Sequence, residues 1–138
     1  MSPLKLPKKV VAHTDGASRG NPGPASIGLV FYDEDGETVF ELGEKLGEQT
    51  NNFAEYSAVK KVLEISVHSG VQDLTLKTDS QLLVRQMIGQ YKVKSESIRP
   101  LYLACKELSS RIPRVEFIHV RREFNKRADS LANEALDS

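Results

Sequence analysis

The chain has 138 residues, of which 39% are hydrophobic and 28% are charged, a size and balance that suit one globular domain with one buried core. It contains no run of 18 apolar residues, and its N-terminal stretch MSPLKLPKK lacks the apolar segment of a secretory signal. We therefore expect no membrane association and a cytoplasmic, monomeric protein, with a basic tail over residues 1–8 and a single domain over residues 9–138. The one cysteine, Cys105, excludes an internal disulfide, and its apolar neighbours at helical spacing predict a core residue.

The formal net charge is zero, but the charges are distributed unevenly along the chain. Residues 1–84 carry 8 basic and 12 acidic side chains, residues 85–127 carry 11 and 4, and residues 128–138 carry three acids. The segment 85–127 therefore has a local charge of +7, which suits contact with a phosphate backbone. A solvated surface with no partner would have the same composition.

The first half of the chain predicts a β-meander. Apolar or alternating runs mark strands over residues 10–14, 27–32 and 38–42. A turn rich in glycine and proline over residues 18–24 separates the first two strands, and the acidic, glycine-bearing segment 33–36 suits a hairpin between the second and third. We expect these three strands to pair antiparallel.

From Asn52 the hydrophobic period changes to three and four residues, which predicts a helix that ends near Ser69. The later predicted elements are, in order, strand 74–78, helices 80–91 and 97–111, strand 115–120 and helix 125–136. This order indicates an α/β domain with a mixed sheet. A right-handed crossover through the first helix places the fourth strand parallel to the first and beside it.

Three acidic residues are expected to converge at one edge of this sheet. Asp15 and Asp79 end the two neighbouring parallel strands, and Glu55 begins the helix that joins them in sequence. Ligands bind at the carboxyl ends of the strands in open α/β sheets. Three carboxylates in one place repel one another unless cations neutralise them, and hard divalent cations such as Mg²⁺ take oxygen ligands. Two such ions would bridge a phosphodiester and promote its hydrolysis.

Each acid also has a purely structural interpretation. Glu55 follows Asn52 by three positions, as in a capping box, and Asp79 is placed to cap the second helix. Asp129 would complement the dipole at the start of the last helix, and Asp15 could be a turn residue. No Ser-His-Asp, Cys-His or zinc-type cluster offers a competing chemistry.

Four motifs together resemble the type 1 ribonuclease H family over most of the chain, from about Val10 to Ala135. They are HTDGASRGNPG at 13–23, TNNFAE at 50–55, TDSQ at 78–81 and NKRAD at 125–129. The resemblance implies a ribonuclease H-like fold, in which a five-stranded mixed sheet is flanked by helices. It also implies that Asp15, Glu55, Asp79 and Asp129 bind two Mg²⁺ ions, for which Mn²⁺ can substitute. The assignment of Asp129 rests mainly on the resemblance.

The resemblance further implies a set of contacts to an RNA/DNA hybrid. The predicted nucleic-acid-binding residues are Gly16, Ala17, Ser18, Asn21, Asn51, Asn52 and Gln81, the first three through backbone amides. Amide groups can pair with base edges and 2′-hydroxyls irrespective of sequence, and the 2′-hydroxyl distinguishes RNA from DNA. As turn and helix-cap residues, Asn21 and Asn52 would look the same.

Two departures from the family pattern concern binding and catalysis. Many members carry a histidine in a mobile loop after the fifth strand, whereas this chain has Arg121 and Arg122 there, as in a subgroup with an arginine in that role. Arg122 is the preferred candidate to hold a phosphate or a departing oxyanion, and His119 is interpreted as a structural strand residue. The chain also lacks a long basic insertion between its second and third helices, which predicts modest, salt-dependent affinity.

The resulting hypothesis is an endonuclease that cuts the RNA strand of RNA/DNA hybrids and leaves 5′-phosphate and 3′-hydroxyl ends. Two alternatives keep the same fold: an enzyme that also cleaves double-stranded RNA, and a catalytically inactive nucleic-acid-binding module. A nucleotide-binding α/β protein is disfavoured, because the sequence has neither a phosphate-binding G-x-x-x-x-G-K-[ST] loop nor a G-x-G-x-x-G motif opening a helix.

Overall fold

The computed structural model describes residues 5–138, so residues 1–4 of the predicted tail lie outside the described part of the chain. The strands are β1 (Lys9–Ser18), β2 (Gly23–Tyr32), β3 (Thr38–Gln49), β4 (Asp73–Thr78) and β5 (Arg114–His119). The helices are α1 (Asn51–His68), α2 (Gln81–Met87), α3 (Arg99–Ser109) and α4 (Lys126–Asp137), with a 3-10 turn (Arg122–Phe124) before the last.

All five strands form one mixed sheet in the order β3-β2-β1-β4-β5. The first three strands pair antiparallel, while β4 lies parallel to both β1 and β5. The predicted meander, the crossover through α1 and the adjacency of β1 and β4 are thereby confirmed. The carboxyl ends of β1 and β4 consequently open at the same edge of the sheet.

Several element boundaries differ from the predicted ones. β1 does not stop at Asp15 but runs on to Ser18, because its second half keeps pairing with β2 after the parallel ladder with β4 has ended at Thr14. β3 extends from the predicted 42 to Gln49 as an exposed, polar edge strand without the apolar alternation that marks a half-buried strand. α2 ends at Met87 instead of residue 91, since the chain turns at Gly89, whose φ is +86°.

Helices cover both faces of the sheet. α1 packs on β1 and β2 with α3 against it, and Cys105 is buried in this layer as predicted. α4 packs on the other face, across β1, β2 and β3. A Cβ added to Gly28 would lie 2.0 Å from the backbone oxygen of Ala128, so α4 approaches the sheet at a distance that only glycine allows. Within residues 5–138, no helix combines the length and apolarity needed to cross a bilayer.

Candidate active site

Asp15, Glu55 and Asp79 come together at the carboxyl edge of the sheet. The last residue pair of the parallel ladder is Thr14 of β1 with Thr78 of β4. Asp15 and Asp79 each follow directly after these residues. Glu55 lies one turn inside α1, whose start packs directly on Gly16: a Cβ there would lie 2.3 Å from the backbone nitrogen of Glu55. One carboxylate oxygen from each of the three acids lies within 4.8 Å of the others.

The structure argues against the capping interpretations of these acids. Thr50 is the N-cap of α1, and its hydroxyl accepts the Phe53 backbone N–H at 3.1 Å. Ser80 is the N-cap of α2, and its hydroxyl accepts the Leu83 backbone N–H at 3.3 Å. Because Asn52 lies inside α1 and is not its N-cap, Glu55 does not complete a capping box with it.

Burial and mutual repulsion perturb all three carboxyl groups. Burial raises the pKa of Asp15, and the charges of Glu55 and Asp79 raise it further. The pKa of Glu55 is also raised by burial and by the charge of Asp79, against the smaller lowering effect of hydrogen bonds from Asp15 and from the Gly16 backbone. Burial likewise raises the pKa of Asp79, although the charge of Arg122 opposes this shift. The folded protein therefore holds these acids in positions that disfavour their charged forms.

The cluster fits a divalent cation. Three carboxylate oxygens lie within reach of one ion, and oxygen ligands of this kind suit hard cations. Among the residues that the structure describes, Oε2 of Glu55 is one of the few buried side-chain oxygens with no hydrogen-bond partner. A buried charged acceptor without a donor is costly, and a cation would satisfy it.

Asp129 lies beside this cluster but is not one of its three converging ligands. It is in the first turn of α4, lines the same cleft and interacts with Asp15, whose pKa it raises by a hydrogen bond and by its charge. Asn133, one turn later, donates to the Asp129 side chain at 3.2 Å and also lines the cleft. Asn133 is not among the site residues predicted from the sequence, although its i,i+4 spacing from Asp129 is a visible signal.

Asn125 is a second residue that the sequence analysis did not assign to the site. It is 1% exposed, its amide donates to the Thr14 backbone oxygen at 2.8 Å, and its Oδ1 lies 3.1 Å from Nδ1 of His13. These bonds join the start of α4 to the end of β1, and a side-chain hydrogen bond from Asn125 also lowers the pKa of Asp79. Asn125 therefore helps to set the position of Asp129 relative to Asp15.

Arg121 and Arg122 have different surroundings. Arg122 lines the cleft, and its positive charge lowers the pKa of both Glu55 and Asp79. Arg121 instead forms an exposed ion pair with Glu123 at 3.7 Å. His119 is the last residue of β5 and pairs with Thr78 in the sheet.

The predicted nucleic-acid contacts lie around a cleft of about 650 Å³. The predicted contact residues in its lining are Gly16, Ala17, Ser18, Asn51 and Asn52. Of the remaining candidates in the described chain, Asn21 lies outside the lining and accepts the Asn51 backbone N–H at 3.0 Å, so it supports the start of α1. Gln81, the first residue of α2, is exposed and also lies outside the lining.

The basic segment 85–127 presents fewer unpaired charges than its composition suggests. Arg111 pairs with Glu107 at 2.8 Å, and Arg114 pairs with Asp73 at 2.8 Å. Arg127 of α4 forms two hydrogen bonds to Glu41 of β3, at 2.5 and 2.8 Å. These pairings reduce the surface that the segment can offer to phosphates.

The sheet order, the helices on both faces and the acids at the ends of β1 and β4 define the class: a ribonuclease H-like α/β domain with an acidic centre. Residues 13–135 match the model of the family described as "Reverse transcriptase-like".

Similar proteins carry the assignment further. Ribonuclease HI of Halobacterium salinarum is 43% identical over 129 residues, which are 94% of this chain and 65% of that protein. The bifunctional protein Rv2228c of Mycobacterium tuberculosis is 41% identical over 131 residues, 94% of this chain and 36% of that protein. The chain thus spans under two thirds of the length of either relative.

Solved structures give the same result. The crystal structure of ribonuclease H1 from Halobacterium salinarum superposes with a TM-score of 0.90 at 43% identity, covering 94% of this chain and 98% of that one. LC11-RNase H1, solved in complex with RNA/DNA hybrid, superposes with a TM-score of 0.89 at 42% identity, covering 94% and 97%. The chain belongs to the type 1 ribonuclease H family.

Proposed function

We propose that this protein is an endonuclease that hydrolyses the RNA strand of RNA/DNA hybrids with the help of two bound Mg²⁺ ions, leaving 5′-phosphate and 3′-hydroxyl ends. The observation that carries the proposal is the convergence of Asp15, Glu55 and Asp79, with one oxygen of each within 4.8 Å of the others. The family membership and the solved complex of LC11-RNase H1 with hybrid support the choice of substrate.

In this proposal Asp15, Glu55, Asp79 and Asp129 hold the metal ions, for which Mn²⁺ can substitute. When bound, divalent ions lower the pKa of an attacking water and stabilise charge on the phosphate and the leaving oxygen. The carboxylates supply the negative charge that holds the ions. Because Asp15 and Glu55 are buried, bulk water does not compete with their carboxylates for the ions.

Arg122 has a separate role. An arginine cannot exchange protons at neutral pH, so it serves as a fixed donor to the phosphate or to the departing oxyanion. Its place in the cleft lining, where its charge acts on Glu55 and Asp79, supports this role.

The hybrid is proposed to contact the amides of Gly16, Ala17 and Ser18 together with the side chains of Asn51 and Asn52. All five residues line the cleft, and amide donors and acceptors suit base edges and 2′-hydroxyls. Asn21 and Gln81 remain proposed contacts at its margin. In this arrangement Asn21 also fixes the start of α1 through the Asn51 backbone.

We also propose that residues 9–138 form a single catalytic domain that acts as a monomer in the cytoplasm, with residues 1–8 as a basic tail. One continuous apolar core lies beneath the sheet and supports the single-domain assignment.

The test is incubation of end-labelled RNA/DNA, RNA/RNA and DNA/DNA duplexes with the protein and Mg²⁺ or Mn²⁺. Three proteins are compared: wild type, Asp79→Asn, and Glu64→Gln as an exposed acid-to-amide control on α1. We expect wild type and Glu64→Gln to cut the hybrid and Asp79→Asn to lose cleavage by at least about a hundredfold. Phosphatase treatment of the 3′-labelled fragment, which carries the newly formed 5′ end, then shows whether that end bears a phosphate.

The same assay separates the alternatives. Cleavage of RNA/RNA would extend the substrate range to double-stranded RNA. Binding of the hybrid without cleavage under either metal would contradict the proposal and favour an inactive nucleic-acid-binding module. Equal cleavage by wild type and Asp79→Asn would place the chemistry outside the acidic cluster.

A further inference from the structure

We propose that Arg19 binds a backbone phosphate of the duplex in the cleft, and that Asp137 competes for Arg19 while the cleft is empty of nucleic acid. This inference rests on the proposed function. Within the described residues, Arg19 and Arg122 are the two basic side chains that line the cleft, and its other charged residues are the four acids. The charge of Arg122 lowers the pKa of Glu55 and Asp79, which leaves Arg19 as the second cation of the cleft.

The turn that carries Arg19 is well supported. The Arg19 backbone N–H donates to the Pro24 oxygen at 2.8 Å, and the Ser18 hydroxyl donates to the Gln49 oxygen at 2.8 Å. A Cβ on Gly23 would lie 2.2 Å from the Arg19 oxygen, so the turn closes tightly. The start of the Arg19 side chain is therefore fixed beside the cleft, while its guanidinium can change partners.

The present partner of that guanidinium is a carboxylate at the far end of α4. Nη2 of Arg19 lies 2.6 Å from Oδ1 of Asp137, and the two side chains are 49% and 64% exposed. Exposed ion pairs of this kind contribute little to stability. Exchange of the carboxylate for a phosphate therefore costs little, and arginine presents a donor geometry that matches phosphate.

A structural role is the rival interpretation. Asp137 lies at the C-terminal end of α4, where a negative side chain opposes the helix dipole, and Arg19 offsets this charge. Lys45 donates to the Ser138 backbone oxygen at 2.6 Å at the same helix end. If Arg19 only stabilised α4, changing it would move the melting temperature and leave nucleic-acid binding unchanged.

The experiment measures the dissociation constant for a fluorescent RNA/DNA hybrid by anisotropy at several NaCl concentrations, with Mg²⁺ present. All proteins carry Asp79→Asn so that the strand stays intact. The added variants are Arg19→Gln, Arg19→Lys, Asp137→Asn, and Arg19→Gln with Asp137→Asn. Glu134→Gln, on the same helix and paired with Arg127 at 3.9 Å, is the matched control for removal of one negative charge.

We expect Arg19→Gln to weaken binding about fivefold and to reduce the slope of log K against log salt by about one, as for loss of one phosphate contact. Arg19→Lys should recover part of the affinity. Asp137→Asn should strengthen binding about twofold, more than Glu134→Gln does. That gain should vanish when Arg19 is already glutamine, because the effect of Asp137 acts through Arg19.

Two results would overturn the inference: hybrid affinity unchanged in Arg19→Gln, or a gain from Asp137→Asn that persists without Arg19. The Asp137→Asn arm decides the matter if Arg19→Gln does not fold, since that change removes no buried contact. Failure of the proposed function would look different. The protein with Asp79 intact would then leave the hybrid uncut, whatever Arg19 contributes to binding.

Discussion

Replacing Glu55 with glutamine should make the metal-free protein more stable while it removes metal binding and activity. The structure holds the Glu55 carboxylate, at 7% exposure, in a cluster where the oxygens of Asp15 and Asp79 lie within 4.8 Å. Glutamine has nearly the same shape, carries no charge, and its amide N–H groups can donate to the neighbouring carboxylates.

The size of the gain follows from Coulomb's law. Two unit charges 4.8 Å apart repel by about 3 kcal/mol at an effective dielectric constant of about 20. Part of this repulsion is already relieved, because the raised pKa values of Glu55 and Asp15 favour protonation in the folded state. We therefore expect a gain of about 1–3 kcal/mol, which for a chain of this length raises the melting temperature by about 3–10 °C.

The assay is thermal unfolding followed by circular dichroism, once in EDTA and once in excess Mg²⁺. Wild type should gain stability on addition of Mg²⁺, since a ligand that binds only the folded state stabilises it. Glu55→Gln should start higher in EDTA and respond little to the ion, and exposed Glu64→Gln should behave as wild type in both. A Glu55→Gln protein that melts below wild type in EDTA would refute the reasoning.

Three further predictions concern the pH dependence of the acidic cluster, the two arginines after β5, and Gly28. The metal-free protein should lose stability as the pH rises from about 4 to about 9, because folding raises the pKa of Asp15 to about 9 and that of Glu55 to about 8, and such acids stabilise the folded state only while they are protonated in it. Urea titrations at several pH values in EDTA check this slope. In steady-state cleavage assays, Arg122→Ala should lower kcat by about tenfold to a hundredfold, because Arg122 lines the cleft. Arg121→Ala breaks only an exposed ion pair and should leave kcat within about twofold of wild type. Gly28→Ala should lower the free energy of unfolding by about 2–4 kcal/mol in chemical unfolding and should lower activity, because a Cβ 2.0 Å from the Ala128 oxygen forces α4 away from the sheet. A stable and active variant would show that α4 does not need this close approach.

The order of elements and the convergence of three acids could be predicted from the sequence because they follow from simple rules. Changes in hydrophobic period marked where strands gave way to helices, and the right-handed crossover placed β4 parallel to β1. Asp15 and Asp79 then had to share one edge of the sheet. These rules need no knowledge of side-chain packing.

Features that depend on tertiary contacts could not be predicted from such rules. The extension of β3 to Gln49 has no apolar alternation to indicate it, because this edge strand is largely exposed. The structural interpretation of Glu55 and Asp79 as caps failed because the neighbouring hydroxyls of Thr50 and Ser80 do the capping. Sequence spacing gave several possible caps, and only the folded backbone distinguishes among them.

The role of Asn125 illustrates the same limit within the site. Its bonds to Thr14 and His13 join residues more than a hundred positions apart in sequence, so nothing local to the NKRAD motif indicates them. The pairing of Arg114 with Asp73 and of Arg127 with Glu41 is similar in kind, because each pair joins residues far apart in the sequence. A count of charges along the chain overestimates the basic surface because it cannot include these pairs.

The central claim is that Asp15, Glu55 and Asp79 jointly bind divalent metal, and the most direct measurement is anomalous diffraction from crystals soaked in Mn²⁺. We predict an anomalous peak in contact with carboxylate oxygens of all three residues, and its loss in Glu55→Gln crystals under the same soak. A fully soaked crystal with no peak at this cluster, or with Mn²⁺ bound only elsewhere on the chain, would contradict the account.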